Sequence, residues 1–345
     1  MKQKNQKNHT KPIIGISIGD VNGIGPEVTI GALNDNRVTR SIIPVIYASG
    51  NVIAYYRKLM GAEQFAYHQC DHIGSINPKK INVINCSNDR LELEPGKGSK
   101  ETGQFAKLSL TMAVEDLKND KIDALVTAPL SKENVKDENF NFPGHTEYLT
   151  QAFDVKDSLM LMMLDELRVG VVTGHIPLKE VSHKLTKDLI KSKINILTQS
   201  LTDDFEIKKP KIAVMGLNPH AGENGMLGSE DQGIIQPVID ELKQKGHMIF
   251  GPFPADGFFG SGQFKNFDGV LAMYHDQGLV PFKTLTAGEG VNFTAGLPKI
   301  RTSPAHGTAY NLAGKNVADP TSMRNAIFAA ADLVRKKLEF AEDES

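Results

Sequence analysis

Short apolar runs alternate with longer amphipathic stretches along most of the chain, and this alternation limits the fold more than any other feature. The runs at 13–18, 42–48, 81–86 and 123–127 have the length and apolar content of buried strands. Residues 99–118 instead carry apolar side chains at helical spacing, which predicts a long amphipathic helix. Strands that alternate with helices are typical of an α/β fold with a largely parallel sheet.

The second half of the chain continues the pattern with one variation. Two apolar runs, 159–164 and 168–172, are separated only by a short acidic turn, which predicts an antiparallel hairpin. Further strands are predicted at 211–217 and 268–274, and a final helix at 321–340. We therefore expect two α/β subdomains that share a cleft.

Composition excludes several classes of function. The formal net charge is −2, so nothing indicates a nucleic-acid partner. The longest apolar run, 159–164, is too short to span a bilayer, and the lysine-rich residues 1–11 lack the apolar core of a signal peptide. Cys70 and Cys86 are not spaced like the cysteine ligands of a metal site. We expect a soluble cytoplasmic protein with a disordered tail at 1–11 and without a membrane or nucleic-acid partner.

Three histidines, His175, His220 and His275, each follow the end of a predicted strand and have Gly or Pro nearby. We therefore expect each imidazole on a loop at the edge where open α/β sheets bind ligands. Three neutral imidazoles can hold a divalent metal and leave one position open for chemistry. Zinc or cobalt suits such a set better than magnesium, which stays an alternative. Each residue can equally be a hydrogen-bonded structural histidine.

Other polar residues are weaker candidates for a binding site. His145 and Thr146 follow a Pro-Gly turn, where a histidine and a hydroxyl at a helix start suit an anion, although a plain loop-to-helix junction with Thr146 as cap fits as well. Lys283, Asn292 and Arg301 can bind phosphate or carboxylate, or can be ordinary solvated residues.

No G-x-G-x-x-G fingerprint is present in the sequence. The glycines of Gly19–Gly25 follow a strand but have the wrong spacing, so a Rossmann-type dinucleotide site is disfavoured. The small residues of 301–315 would instead let a cofactor approach the backbone closely.

Taken in order, these motifs resemble the 4-hydroxythreonine-4-phosphate dehydrogenase family of pyridoxal phosphate biosynthesis. The matching segments span nearly the whole chain and are Gly19–Glu27, Val126–Pro129, Pro143–Glu147, Thr173–Pro177, Leu217–Glu223, Tyr274–Gly278, Gly290–Phe293, Gly296–Ser303 and His306–Thr308. The resemblance implies an oxidoreductase of two α/β/α subdomains related to the isocitrate and isopropylmalate dehydrogenases. It implies discontinuous subdomains at about 12–138 plus 285–345 and about 139–284 within one catalytic unit, 12–345.

The resemblance also implies a role for each candidate residue. His175, His220 and His275 would bind a divalent metal shared between the subunits of a homodimer. His145, Thr146, Lys283, Asn292 and Arg301 would bind a phosphorylated substrate, with His145 also as a proton relay. Asp256 would act as the base or would orient the residue that does. Alternatively, Asp256 is an ordinary surface carboxylate. The cofactor, NAD or NADP, would contact His306, Gly307, Thr308 and Asn311.

The chain departs from the family's usual pattern at three positions, two of them in its first motif. Val21 and Asn22 stand where Pro and Ala are usual, and Gly257 stands where Thr is usual. These departures leave open a related substrate such as 4-phosphoerythronate. A metal-dependent hydrolase and a non-catalytic binding protein are the alternatives outside this reaction class.

Overall fold

The computed structural model describes residues 11–89, 91–137, 142 and 144–343, so the predicted tail lies outside them except for Lys11. The chain divides into two compact units. The first contains 1–141 and 299–335, and the second contains 142–298 and 336–345. Residues 285–298, which the sequence-based boundaries place in the first unit, belong to the second.

The first unit contains a six-stranded sheet. Its strands, numbered along the chain, are β1 (Ile13–Ser17), β2 (Ile43–Ala48), β3 (Tyr67–Cys70), β4 (Ile81–Asn85), β5 (Ala124–Thr127) and β12 (Ile300–Pro304). Their order is β3-β4-β2-β1-β5-β12, and every neighbouring pair is parallel. The carboxyl ends of β1, β5 and β12 therefore meet at one edge of the sheet.

The helices that accompany this sheet are α1 (Gly25–Leu33), α2 (Asn36–Ser41), α3 (Gly50–Leu59), α4 (Lys100–Lys118) and the greater part of α11 (Thr321–Asp343). The side chains of Asp35, Ser49 and Ser99 cap the starts of α2, α3 and α4. The long helix predicted at 99–118 is confirmed as α4. Ser99 caps it in a capping box, in which the Ser99 hydroxyl accepts from the Thr102 amide and the Thr102 hydroxyl accepts from the Ser99 amide.

The second unit contains a mixed sheet. Its strands are β6 (Leu159–Leu164), β7 (Leu167–Thr173), β8 (Ile212–Met215), β9 (Ile249–Phe253), β10 (Gly269–Tyr274) and β11 (Val291–Ala295), in the order β11-β6-β7-β10-β8-β9. The predicted hairpin is confirmed because β6 and β7 pair antiparallel, and β6 also pairs antiparallel with β11. The pairs β7-β10, β10-β8 and β8-β9 are parallel.

The helices of the second unit are α5 (His145–Ala152), α6 (Val181–Lys184), α7 (Lys187–Asp203), α8 (Gln236–Gln244), α9 (Ala255–Gly260) and α10 (His275–Thr286). The sequence did not predict α10, because Gly278 and Pro281 interrupt its helical pattern. The expectation that His275 lies on a loop is therefore wrong: His275 is the first residue of a helix.

Both sheets are buried between helices in the manner of α/β proteins. All residues of β1, β2 and β5 are buried, which explains why these strands read as unbroken apolar runs. The predicted α/β class with a largely parallel sheet is confirmed. Among the residues that the structure describes, no helix has the length and apolar character needed to cross a membrane.

Candidate functional site

Three adjacent strands of the second unit carry the three histidines to one edge of their sheet. The order β7-β10-β8 is parallel throughout, so these carboxyl ends lie side by side. His175 follows β7, His275 follows β10 directly, and His220 lies five residues beyond the end of β8. The parallel topology thus brings residues that are distant in sequence to the same edge.

His175 and His275 lie close together. Their ring centroids are 5.5 Å apart and the rings are inclined by 44°. The strands beneath them are joined where they end, because the Thr173 hydroxyl donates a 2.8 Å hydrogen bond to the Met273 carbonyl. Nδ1 of His275 lies 2.7 Å from a carboxylate oxygen of Asp276, an arrangement that fixes the ring and leaves Nε2 for a ligand.

His220 is held differently, in the turn 219–225. Residues 220–224 all have positive φ, with His220 at 52°. Left-handed backbone costs non-glycine residues roughly 1–2 kcal/mol each, so the surrounding structure must hold this turn. Asp231 fixes the segment that leads into the turn: its carboxylate accepts from the amides of Leu217 (2.7 Å) and Asn218 (3.2 Å).

A second anchor joins the His220 strand to the His275 helix. The side chain of Gln277 donates to the Gly216 carbonyl at 2.6 Å and accepts from the Met273 amide at 2.7 Å. Asp231 and Gln277 could not be recognised as supporting residues from the sequence, since neither residue type is distinctive alone. Only the strand pairing reveals that both support the ends of β8 and β10.

The structure brings two of the three histidines together but not the third. Across the described part of the chain, no three His, Cys, Asp or Glu residues are grouped closely enough to hold a metal ion. His220 instead borders an open cavity of about 730 Å³ together with Asp256, Tyr274 and Asp276. Asp256 is exposed in the first turn of α9.

The predicted anion-binding histidine opens a helix. His145 is half-buried at the first position of α5, and its N-cap is Gly144, with no side-chain cap. Thr146 is therefore not the cap, and that prediction is wrong. Pro143, which completes the predicted turn, lies outside the described residues. One carboxylate oxygen of Glu147, in the same turn, is shielded from solvent and accepts no hydrogen bond from the residues that the structure describes.

Asn292 and Lys283 also belong to the second unit. Asn292 lies on β11, and its side-chain oxygen is shielded from solvent without a hydrogen-bond donor among the described residues. A shielded acceptor without a donor is unfavourable in the free protein and suits a site that receives a ligand. Lys283 lies near the end of α10 with its side chain exposed.

Arg301 and the predicted cofactor segment belong to the first unit. Arg301 lies on β12 and is only 2% exposed. Two nitrogens of its guanidinium group donate to the Thr127 hydroxyl on β5, at 3.2 and 2.5 Å. Residues His306, Gly307, Thr308 and Asn311 follow β12 and lie at least partly exposed beyond the carboxyl end of that strand.

Comparison with known proteins gives matches over most of the chain. A model of the PdxA family, described as pyridoxal phosphate biosynthetic protein PdxA, matches residues 40–330. The 4-hydroxythreonine-4-phosphate dehydrogenase of Bacteroides thetaiotaomicron is 45% identical over 325 residues, which cover 94% of this chain and 89% of that protein. A putative D-threonate 4-phosphate dehydrogenase of Cutibacterium acnes is 35% identical and covers 94% of each chain.

A solved structure matches as well. The crystal structure of 4-hydroxythreonine-4-phosphate dehydrogenase from Klebsiella pneumoniae aligns with a TM-score of 0.83 at 33% identity, over 95% of this chain and 99% of that one.

Proposed function

The chain belongs to the PdxA family of pyridoxal phosphate biosynthetic proteins, and from that premise we propose that it is an NAD-dependent, metal-dependent 4-hydroxythreonine-4-phosphate dehydrogenase. The observation that carries the proposal is the 45% identity to a dehydrogenase of that name over 94% of this chain. The reaction oxidises 4-phosphohydroxy-L-threonine to 2-amino-3-oxo-4-phosphooxybutanoate. That β-keto acid then loses carbon dioxide to give 3-amino-2-oxopropyl phosphate.

The donor set at the edge of the second unit suits a divalent metal. His175 and His275 present two imidazoles 5.5 Å apart, and Asp276 orients one of them. Zinc suits imidazole ligands best, with cobalt and magnesium as alternatives. When bound, such an ion lowers the pKa of the substrate hydroxyl and stabilises the charge that develops on its oxygen.

His220 completes the donor set in a homodimer, where a second copy of the chain contributes to the site. The surface beside His220 supports this arrangement. Met226 is 80% exposed, and Val280 and Leu285 on α10 are 61% and 49% exposed next to the cavity. Exposed apolar side chains that cluster in this way are typical of surfaces that associate. We therefore propose that the isolated monomer is inactive.

The remaining candidate residues bind the substrate or transfer its proton. Lys283 and Arg301 neutralise phosphate or carboxylate charge, and Asn292 uses its shielded amide oxygen to accept from the substrate. His145 holds an anionic oxygen or relays the proton of the hydroxyl, and Asp256, at the cavity that His220 borders, is the alternative base. The nicotinamide accepts the hydride, and NAD rather than NADP is the proposed cofactor.

The test is steady-state NADH production with 4-phosphohydroxythreonine and added zinc, cobalt or magnesium. His220→Ala should abolish metal-dependent turnover, whereas His247→Ala, at an exposed position in the same unit, should not change it. Normal turnover in His220→Ala would remove that residue from the metal site. The absence of NADH with every metal in the wild type would refute the dehydrogenase itself.

A second candidate concerns only the substrate. Relatives named putative D-threonate 4-phosphate dehydrogenases are 35% and 36% identical to this chain, and Val21, Asn22 and Gly257 depart from the usual family motifs. Dehydrogenation of a phosphorylated hydroxy acid such as D-threonate 4-phosphate or 4-phosphoerythronate is therefore the alternative. The ratio of kcat/KM for these acids to that for 4-phosphohydroxythreonine decides between them.

A further inference from the structure

The segment 19–27, called here the glycine motif, contains three buried polar side chains that the proposed chemistry does not use. Asp20 is 0% exposed, and Asn22 and Glu27 are each 2% exposed. Buried polar groups require hydrogen-bond partners. Most partners of these three lie in two distant segments of the first unit, residues 94–98 and the cofactor loop, which we define as residues 306–316.

Asp20 and the backbone of the glycine motif hold the first half of the cofactor loop. The Tyr310 hydroxyl donates a 2.6 Å hydrogen bond to Asp20. The Ile24 amide donates to the Thr308 carbonyl at 2.9 Å. Gly23 lies so close that a Cβ at its position would be 2.9 Å from that same carbonyl oxygen, so glycine is needed there.

Glu27 holds the second half of the cofactor loop. One of its carboxylate oxygens accepts from the Asn316 amide at 3.0 Å, and the other accepts from the Gly314 amide at 3.3 Å. The carboxylate lies in the first turn of α1, so the same residue also favours the start of that helix.

Asn22 holds residues 94–98 through three hydrogen bonds. Its side-chain nitrogen donates to the Lys97 carbonyl at 2.7 Å, and its side-chain oxygen accepts from the Glu94 amide at 3.0 Å. Its backbone carbonyl accepts from the Gly96 amide at 2.8 Å. Alanine, the usual family residue here, could make only the last of these bonds.

Residues 94–98 in turn pack directly on the cofactor loop. A Cβ at Gly98 would lie 2.4 Å from the Tyr310 hydroxyl oxygen, and one at Gly314 would lie 2.6 Å from Cβ of Pro95. At both glycines the other segment occupies the space that a side chain would need, so the two segments pack closely against each other. A displacement of residues 94–98 would therefore be transmitted to the cofactor loop.

We propose that Asn22 is a positioning residue for the dinucleotide, which it serves by clamping residues 94–98 against the cofactor loop. The inference rests on the proposed function and on the cofactor contacts that the family resemblance implies, His306, Gly307, Thr308 and Asn311. It also gives the glycine motif a role: it does not bind phosphate in the Rossmann manner but fixes the loop that contacts the cofactor. Asn22 makes this chain's loop more rigid than alanine at the same position would.

The test compares Asn22→Ala with Asn82→Ala in the full-length protein. Asn82 is a matched control because it is 0% exposed in the same unit and its side chain makes four hydrogen bonds, to Pro44, Asn77 and Lys80. Three measurements are made on each variant. They are the Kd for NADH from its fluorescence, amide hydrogen exchange over 306–316, and both kcat and the KM for NAD from steady-state kinetics.

The expected result separates the two variants. Both should lower the midpoint of thermal unfolding, because both lose buried hydrogen bonds. Only Asn22→Ala should raise the Kd for NADH, by roughly tenfold, which corresponds to about 1.4 kcal/mol. Its KM for NAD should rise more than its kcat falls, and amides of 94–98 and 306–316 should exchange faster. Asn22→Asp, which keeps the acceptor for the Glu94 amide but sets a carboxylate oxygen against the Lys97 carbonyl, should raise the Kd for NADH as well.

Three outcomes overturn the proposal. One is an unchanged Kd for NADH in Asn22→Ala, and a second is an equal rise of Kd in Asn82→Ala, which would reveal a general loss of stability. If wild-type protein binds neither NADH nor NADPH, the proposed function fails instead. Hydrogen exchange needs no cofactor, so unchanged exchange over 306–316 in Asn22→Ala would still refute the clamp by itself.

Discussion

Removal of the Asp231 carboxylate should destabilise the second unit and release the His220 turn. Asp231 is 1% exposed and accepts from the Leu217 amide, the Asn218 amide and the Asn218 side chain, at 2.7, 3.2 and 2.9 Å. In Asp231→Ala these donors lose their acceptor. At roughly 1 kcal/mol for each hydrogen bond, the free energy of unfolding should fall by about 3 kcal/mol.

The assay is thermal unfolding, in which a folding unit of about 150–250 residues, the size range of the second unit, loses about 2–4 °C of Tm for each kcal/mol. Asp231→Ala should therefore lower Tm by roughly 6–12 °C. Asp240→Ala is the control, because Asp240 is exposed and accepts from Gln236, one helical turn away. Surface changes of this kind stay within about 0.5 kcal/mol.

A second readout concerns the turn itself. Zinc affinity, measured by competition with a chelator, should fall in Asp231→Ala, since residues 220–224 have positive φ and need external support. A Tm for Asp231→Ala equal to that of Asp240→Ala would refute the reasoning, because the buried hydrogen bonds would then contribute nothing. A lower Tm with unchanged zinc affinity would refute only the link to His220.

Three further changes test other parts of the structure. Gly103→Ala should destabilise the first unit by roughly 1–3 kcal/mol in urea unfolding, since a Cβ there would lie 2.1 Å from the Asn134 carbonyl oxygen. Asp276→Asn should weaken zinc binding by roughly 10–100-fold in chelator competition, because it perturbs the orientation of the His275 ring. Burial and the hydrogen bond to Asp20 raise the pKa of Tyr310 from 10.0 to about 12. This tyrosine therefore stabilises the fold fully below pH 10 and loses its contribution as pH rises through about 12, which alkaline unfolding would follow.

Each of these expectations has a control. Gly257→Ala should be neutral or stabilising, because nothing lies within 4 Å of a Cβ at that helical position. Asp188→Asn, in the first turn of α7, should leave zinc affinity unchanged. Tyr310→Phe should remove the alkaline step assigned to this residue. If the step persists in Tyr310→Phe, another group is responsible for it.

Local patterns in the sequence predicted most of the individual elements. The apolar runs at 13–18 and 42–48 are strands because β-branched residues buried on both faces suit a parallel sheet. The hairpin at 159–173 followed from two apolar runs with a short turn. The sequence missed α10 because Gly278 and Pro281 hide the helical period. It missed β3 because only the last residue of that strand, Cys70, is buried.

Part of the candidate site could also be predicted from the sequence. The sequence alone identified His175, His220 and His275 as residues at strand ends, and the ordered motifs identified the family. The sequence also shows that asparagine stands at position 22, but not which residues its side chain contacts. Residue type and local spacing are properties of the chain, and they sufficed for these conclusions.

Only the tertiary structure decided which of these residues meet. The pairing of β7 with β10 places the rings of His175 and His275 5.5 Å apart, although a hundred residues separate them in the chain. The same kind of long-range pairing gave Asn22 its partners at 94–97. Contacts between distant segments depend on strand order and on the close approach of backbones, and neither quantity is encoded in any local stretch of sequence.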